Sequence, residues 1–306
     1  MGFELEHMKR LAAEHGRIAR VVIADVKGSS PREVGAAMIV WDGGQSGTIG
    51  GGALELHAAT HALDGEKLET HALGPALGQC CGGAVSLLTE IYDTKRLEGI
   101  EAVVWARGPG DMPLPARRLL AKARNEGIMP QPALIDGWMV EAVAKPTRDL
   151  WIWGAGHVGR ALVNVLAPLP DVAITWIDTG PERFPDALPE NVTAVPAADP
   201  AILVPHAPNH AEHLVLTYSH ALDLELCHAL LSHDFKFAGV IGSKTKWARF
   251  RSRLVALGHT DAQIARITCP IGQKALGKHP QAIAVGVATA ILEEKVQKNQ
   301  QEDRVA

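Results

Sequence analysis

Cys80 and Cys81 stand side by side between glycine pairs, in Gly78-Gln79-Cys80-Cys81-Gly82-Gly83, and they are two of only four cysteines in the chain. Glycines admit left-handed and tight backbone conformations and remove the side chains that would hold a ligand off the backbone. The segment therefore reads as a loop offering one or two thiols to something bulky. The competing reading is a glycine turn with two incidental small residues. Adjacent cysteines do not suit structural zinc, whose cysteines come as pairs about two to four residues apart.

Three further clusters could do chemistry. Gly50-Gly51-Gly52 precede Ala53-Leu54-Glu55. Glu55 there either steadies a helix start by its charge or touches a ligand that the glycines admit. Lys27 and Arg32 flank Gly28-Ser29-Ser30-Pro31, where they either bind an anion or are surface charges on a turn. Gly154-Ala155-Gly156-His157-Val158-Gly159 fits the GxGxxG pattern, directly after an apolar strand and opening a helix. The next strand ends at Asp178, 24 residues beyond Gly154. In a dinucleotide site Gly154, Gly156 and Gly159 allow the turn and the close approach, the helix start takes the pyrophosphate, and Asp178 takes ribose hydroxyls. An acid there disfavours a 2′-phosphate, so NAD is expected over NADP. The alternative is that these glycines only pack a strand against a helix.

Other residues carry less. His157 would face phosphate, and His220 follows a strand end, as a catalytic candidate or a helix-start residue facing solvent. His206, His210 and His213 are spaced as metal ligands, but Pro208 breaks any helix that would converge them. Cys227 lies in an apolar helical run and reads as a buried small hydrophobe, and Cys269 as a packing residue in a loop.

The elements that must position these groups follow from the pattern. In the first half, helices are expected at Leu5–His15, Ala53–Leu63 and Pro115–Asn125. Strands are expected at Ile18–Val26, Ala36–Trp41, Leu68–Leu73, Ala84–Ile91 and Trp138–Ala144. The polar stretch Lys145–Asp149 reads as a linker. Beyond it, strands at Leu150–Trp153, Val172–Ile177, Leu214–Thr217 and Phe237–Ile241 alternate with helices at Ala161–Leu166, Leu222–Leu231, Lys244–Leu257 and Gln281–Glu294. That alternation implies a parallel sheet covered on both faces. The polar tail from Glu293 is expected to fray.

Composition sets limits. At 306 residues, 47% hydrophobic and 21% charged, the chain should bury about two cores. A net charge of −4 with dispersed lysines and arginines lacks the basic stripe of a nucleic-acid binder. The apolar run Ala282–Leu292 is too short for a bilayer, which needs about 20 residues. Met1–Glu6 carries acid where a secretory leader is basic, and four cysteines make no disulfide framework, so a cytoplasmic location is expected.

Taken together, Gly28–Arg32, Gly47–Glu55, Gly78–Gly83, Trp153–Gly159, Phe237–Lys244 and Cys269–Gly272 resemble the XdhC/CoxI family of molybdoenzyme accessory proteins over nearly the whole chain. CoxI-type relatives carry cysteine where this chain has Ala53, which favours the XdhC branch. The resemblance implies an α/β chain. Its N-terminal part is an α+β domain of the XdhC/CoxI type (residues 1–148), and its C-terminal part a Rossmann-like, doubly wound parallel-sheet domain (residues 149–306). It also implies a non-enzymatic chaperone, commonly a dimer, that binds molybdopterin-ligated molybdenum. Such a chaperone supports sulfuration by a NifS-like cysteine desulfurase and inserts the cofactor into apo xanthine dehydrogenase. Thiolates suit a thiophilic metal. The residues expected at the cofactor are then Gln79, Cys80, Cys81, Gly82, Gly83, Gly50, Gly51, Gly52 and Glu55, with Cys80 or Cys81 at molybdenum. The glycine fingerprint leaves open an NAD-dependent oxidoreductase with a redox-active or structural cysteine pair.

Overall fold

A computed structural model describes residues 2–74, 82–169 and 171–305, and its backbone divides into two compact units, Met1–Lys145 and Pro146–Ala306.

In the first unit, α1 (Leu5–His15) leads into β1 (Ile18–Lys27), β2 (Ala37–Trp41), β3 (Gly44–Gly47) and α2 (Gly52–Thr60). Then come β4 (Lys67–Ala72), β5 (Ala84–Tyr92), α3 (Thr94–Glu98), β6 (Val104–Arg107), α4 (Leu114–Glu126), β7 (Ala133–Ile135) and β8 (Trp138–Ala142). Five strands form an antiparallel sheet in the order β3-β2-β1-β5-β4. A second antiparallel sheet has the order β6-β8-β7. The β-branched run of β1 fits a central strand, and Ile18 to Ala24 are all buried. Alternate residues Ala19, Val21 and Ile23 pack with Met38, Val85 and Leu87 under Leu54 and Ala58 of α2. The helix expected through Leu63 stops at Thr60, followed by a 3₁₀ turn, Ala62–Asp64.

The second unit holds β9 (Arg148–Trp153), α5 (His157–Leu166), β10 (Val172–Asp178), β11 (Val192–Pro196), β12 (Glu212–Val215) and α6 (His220–Leu231). It continues with β13 (Phe237–Val240), α7 (Lys244–Ala256), α8 (Asp261–Ile264), β14 (Ile267–Thr268) and α9 (Pro280–Val305). Six parallel strands take the order β11-β10-β9-β12-β13-β14, the doubly wound Rossmann arrangement. Each face is covered. Leu150, Ile152, Ile174 and Trp176 pack against α5 and α9. Trp153, Ile177, Val215 and Val240 pack against α6 and α7. Each fully buried aliphatic side chain of this kind contributes about 1.5–3 kcal/mol.

Three expectations shift. The stretch read as a linker contributes its last two residues to β9, because Arg148 is buried and donates to Glu212 Oε2 at 2.6 Å. The same pair starts β12 two residues early, at Glu212. The tail expected to fray continues as helix to Val305; its Gln, Glu and Lys residues are all good helix formers.

Candidate functional site

The sheet register of the first unit brings three loops to one end. Both Lys27 and Ala72 face Ala84 across β5, so the loop after β1 and the segment between β4 and β5 leave together. Gly47 at the end of β3 faces Met38 near the start of β2, which puts the Thr48–Gly51 loop there too. Contacts join the loops. A Cβ on Gly83 would collide with the Lys27 and Ser29 carbonyls, and one on Gly50 would lie 2.9 Å from Pro31 Cγ. Leu73 N–H donates to the Gly83 carbonyl at 2.7 Å. Gly82 has open space where a Cβ would stand. Residues 75–81, with Gln79, Cys80 and Cys81, lie outside the described residues; the chain enters and leaves that segment beside the Gly28–Pro31 loop.

Gly50, Gly51 and Gly52 have φ of +122°, +74° and +71°. Three successive positive values are a course that only glycine follows cheaply. Glu55, one turn into α2, holds the loop. Its Oε2 accepts from Ile49 N–H (2.9 Å), Gly51 N–H (3.0 Å) and the Thr48 hydroxyl (2.5 Å), and Oε1 accepts from Gln45 at 3.2 Å. Burial would raise its pKa, but the hydrogen bonds from Thr48, Gly51, Ile49 and Gln45 outweigh it and hold the carboxyl below its ordinary value. Of the two roles open to Glu55, the geometry shows the internal one. The Ile49 and Gly51 amides are taken by Glu55, and the Gly50 amide by the Thr48 hydroxyl.

The glycine loop of the second unit lies at the carboxyl end of β9, beside the point where strand order reverses. A Cβ on Gly154 would lie 2.6 Å from the Leu216 carbonyl, and one on Gly159 would collide with the Gly154 carbonyl, so both glycines permit close packing. A Cβ on Gly156 meets nothing within 4 Å. There a cavity of about 440 Å³ is lined by Ala155, Gly156, His157, Arg160, Glu182 and Arg183. Asp178, expected at a ribose, is 3% exposed. Its Oδ2 accepts from Ala155 N–H (2.5 Å), and its Oδ1 from the Thr179 N–H (2.6 Å) and hydroxyl (3.1 Å). Like Glu55, it fastens its own glycine loop.

The remaining candidates separate. His220 is the exposed first residue of α6, which Ser219 caps. It borders a cavity of about 530 Å³ with Ser243, Lys246 and Arg249. His210 is exposed and pairs with Asp149, while His213 is buried and accepts from Trp153 Nε1 at 3.2 Å. Among the described residues no group of three or more His, Cys, Asp or Glu side chains could hold a metal. Cys227 is buried, and burial pushes its thiol pKa up.

Two groupings escaped the sequence reading. Arg20, Glu90, Arg107 and Glu141, one each from β1, β5, β6 and β8, form a buried charge network. Arg20 pairs with both oxygens of Glu141 (2.7 and 3.0 Å), and Arg107 with both of Glu90 (2.7 and 2.8 Å). A lone charge inside an apolar run, as in Ile18-Ala19-Arg20-Val21-Val22, was the available signal. The buried Asp223 takes Lys246 Nζ at 2.5 Å and Thr217 N–H at 2.9 Å, joining α6, α7 and the end of β12.

The fold and loops define a two-unit protein with a glycine-loop antiparallel unit before a Rossmann unit. Known families agree. Residues 150–291 match the XdhC Rossmann domain, and residues 11–70 match the XdhC and CoxI family. The two segments take in about two thirds of the chain. The chain belongs to the XdhC and CoxI family. It is 24% identical over 299 residues to a protein described as uncharacterized protein YqeB of Escherichia coli strain K12, covering 94% of this chain and 45% of that protein. The chain thus spans under half the length of that relative. A crystal structure described as a xanthine dehydrogenase of Bacillus halodurans shares the fold, with a TM-score of 0.67 over 95% of each chain at 18% identity. No helix among the described residues is long and apolar enough to cross a membrane.

Proposed function

We propose that this protein is a carrier of the molybdenum cofactor. In this reading it protects the cofactor, supports its sulfuration and delivers it to apo xanthine dehydrogenase. The observation that carries the reading is the convergence at one sheet end of the Gly28–Arg32 loop, the Gly50–Gly52 loop and the two ends of the segment bearing Cys80 and Cys81. The protein works without turnover of its own. A thiolate from Cys80 or Cys81 holds molybdenum. Lys27, exposed at the end of β1, supplies charge toward the pterin phosphate. The Gly50–Gly52 loop gives shape more than amides, because Thr48 and Glu55 already occupy the Gly50 and Gly51 amides. Its partners are a NifS-like cysteine desulfurase, xanthine dehydrogenase and a second copy of itself, in the cytoplasm.

The test is pterin content. Protein purified from cells that make molybdenum cofactor is oxidised and assayed for the fluorescent pterin product. A near-stoichiometric signal in the wild type, lost in C80A/C81A, is the expected result. Retention in that double variant removes the thiolates from the proposal. The cavity at Gly156 favours a second reading, an NAD-dependent oxidoreductase. Pterin-free protein that oxidises NADH with a small carbonyl substrate would establish it in place of the carrier.

A further inference from the structure

The glycine-loop cavity of the second unit has lost the acid that would read a ribose diol. In a dinucleotide site an acid at the end of the second strand binds the ribose hydroxyls, whereas a nearby arginine accommodates a 2′-phosphate. Here the acid, Asp178, is 3% exposed, and both its oxygens are engaged by Ala155 and Thr179. Arg183, five residues on, stands where the arginine is wanted. Its guanidinium lies over the Tyr218 ring, 5.0 Å from the centroid, bridging the loops after β10 and β12. Its Nε is 3.4 Å from Asp178 Oδ1, is buried, and makes no hydrogen bond among the described residues. Arg160 reaches the same place from α5, donating from Nη2 to the Arg183 carbonyl at 2.7 Å and from Nε to the Ala155 carbonyl at 3.2 Å. Arg160, Glu182 and His157 line the cavity beside Arg183, which is paired with Asp178 behind it. Gly156 leaves room for the ligand to approach.

We infer that this cavity binds an adenine nucleotide carrying a 2′-phosphate, of the NADP type, with Arg183 as the specificity-determining residue and Asp178 as a positioning residue for the glycine loop. This reverses the cofactor expected from Asp178 in the sequence. A phosphomonoester paired with arginine gains charge-assisted, often bidentate hydrogen bonds that a hydroxyl cannot supply.

The test is titration of the full-length protein with NADPH and with NADH, followed by nicotinamide fluorescence. 2′-AMP and 5′-AMP serve as competitors, to tell the 2′-phosphate from any other phosphomonoester. NADPH should bind at least about tenfold more tightly than NADH, and 2′-AMP should displace it better than 5′-AMP. R183Q should lower NADPH affinity at least about tenfold and erase that preference, with thermal unfolding checking that the variant folds. D178N should weaken NADH, because it loosens the loop at the Ala155 N–H. Equal or tighter NADH binding, no binding of either nucleotide, or a preference that survives R183Q overturns the inference.

Discussion

Each unit holds a glycine loop at a sheet end, and in each a carboxylate offered by the sequence as a ligand contact is turned onto the loop itself. The two differ in how the tether is built. Glu55 is four residues from Gly51, half-buried, and closes a local ring with Ile49, Gly51 and Thr48. Asp178 is 23 residues from Ala155, fully buried, and fastens the loop after β9 to the neighbouring β10. A local tether shapes its loop without holding the fold. A long-range buried one does both, because removing it leaves an orphan amide and exposes Arg183 to an uncompensated site. The first loop can be remodelled on its own; the second is part of the core.

Breaking the long-range tether should have the largest effect. Asp178→Ala should cost about 3 kcal/mol, read as a lower urea midpoint of the second unit's transition with an unchanged slope. The second unit should also lose stability in mild acid. Burial first, and then the charge of His233, push the pKa of His213 down to about 3 from an ordinary 6.5. The unfolded chain therefore takes up a proton that the folded chain refuses. Stability is fully present above pH 6.5 and is lost as pH falls from there toward 3, by up to about 1.4 kcal/mol per pH unit. His213→Phe should flatten that slope in unfolding measured from pH 7 to 5.

The local tether should give smaller and more confined effects. Gly51→Ala, at φ +74°, should cost about 1–2 kcal/mol from backbone strain alone. Glu55→Gln should cost about 1 kcal/mol and speed hydrogen exchange at the Ile49 and Gly51 amides without moving the second unit's transition. Because the Glu55 pKa is lowered in the fold, its contribution is present above pH 4.5 and fades below it. A Glu55→Gln effect spread over the whole first unit would end the distinction between the tethers.

The sequence shows most where its signals are local and periodic. The run of β1 and the alternation of strands and helices after residue 148 stand in the structure as their spacing implies. The parallel order of the second unit was legible for the same reason. What escaped was long-range pairing of charge. Arg148 looks like linker until Glu212, 64 residues away, is seen to neutralise it. Arg20 and Glu141 are 121 residues apart, and nothing in either neighbourhood announces the other. The acids show the same limit. Composition and spacing put Glu55 and Asp178 beside glycine loops, but only the hydrogen bonds show that both face inward. Arg160 and Arg183 gave no pattern at all, since their meeting depends on how the loop after β10 folds back across α5.

The most direct test measures both ligands on the same full-length preparations. Pterin content and NADPH affinity would be determined for the wild type, C80A/C81A and R183Q. The account predicts that pterin disappears only from the cysteine variant and NADPH preference only from the arginine variant. Pterin retained in C80A/C81A, or none in the wild type, would contradict it.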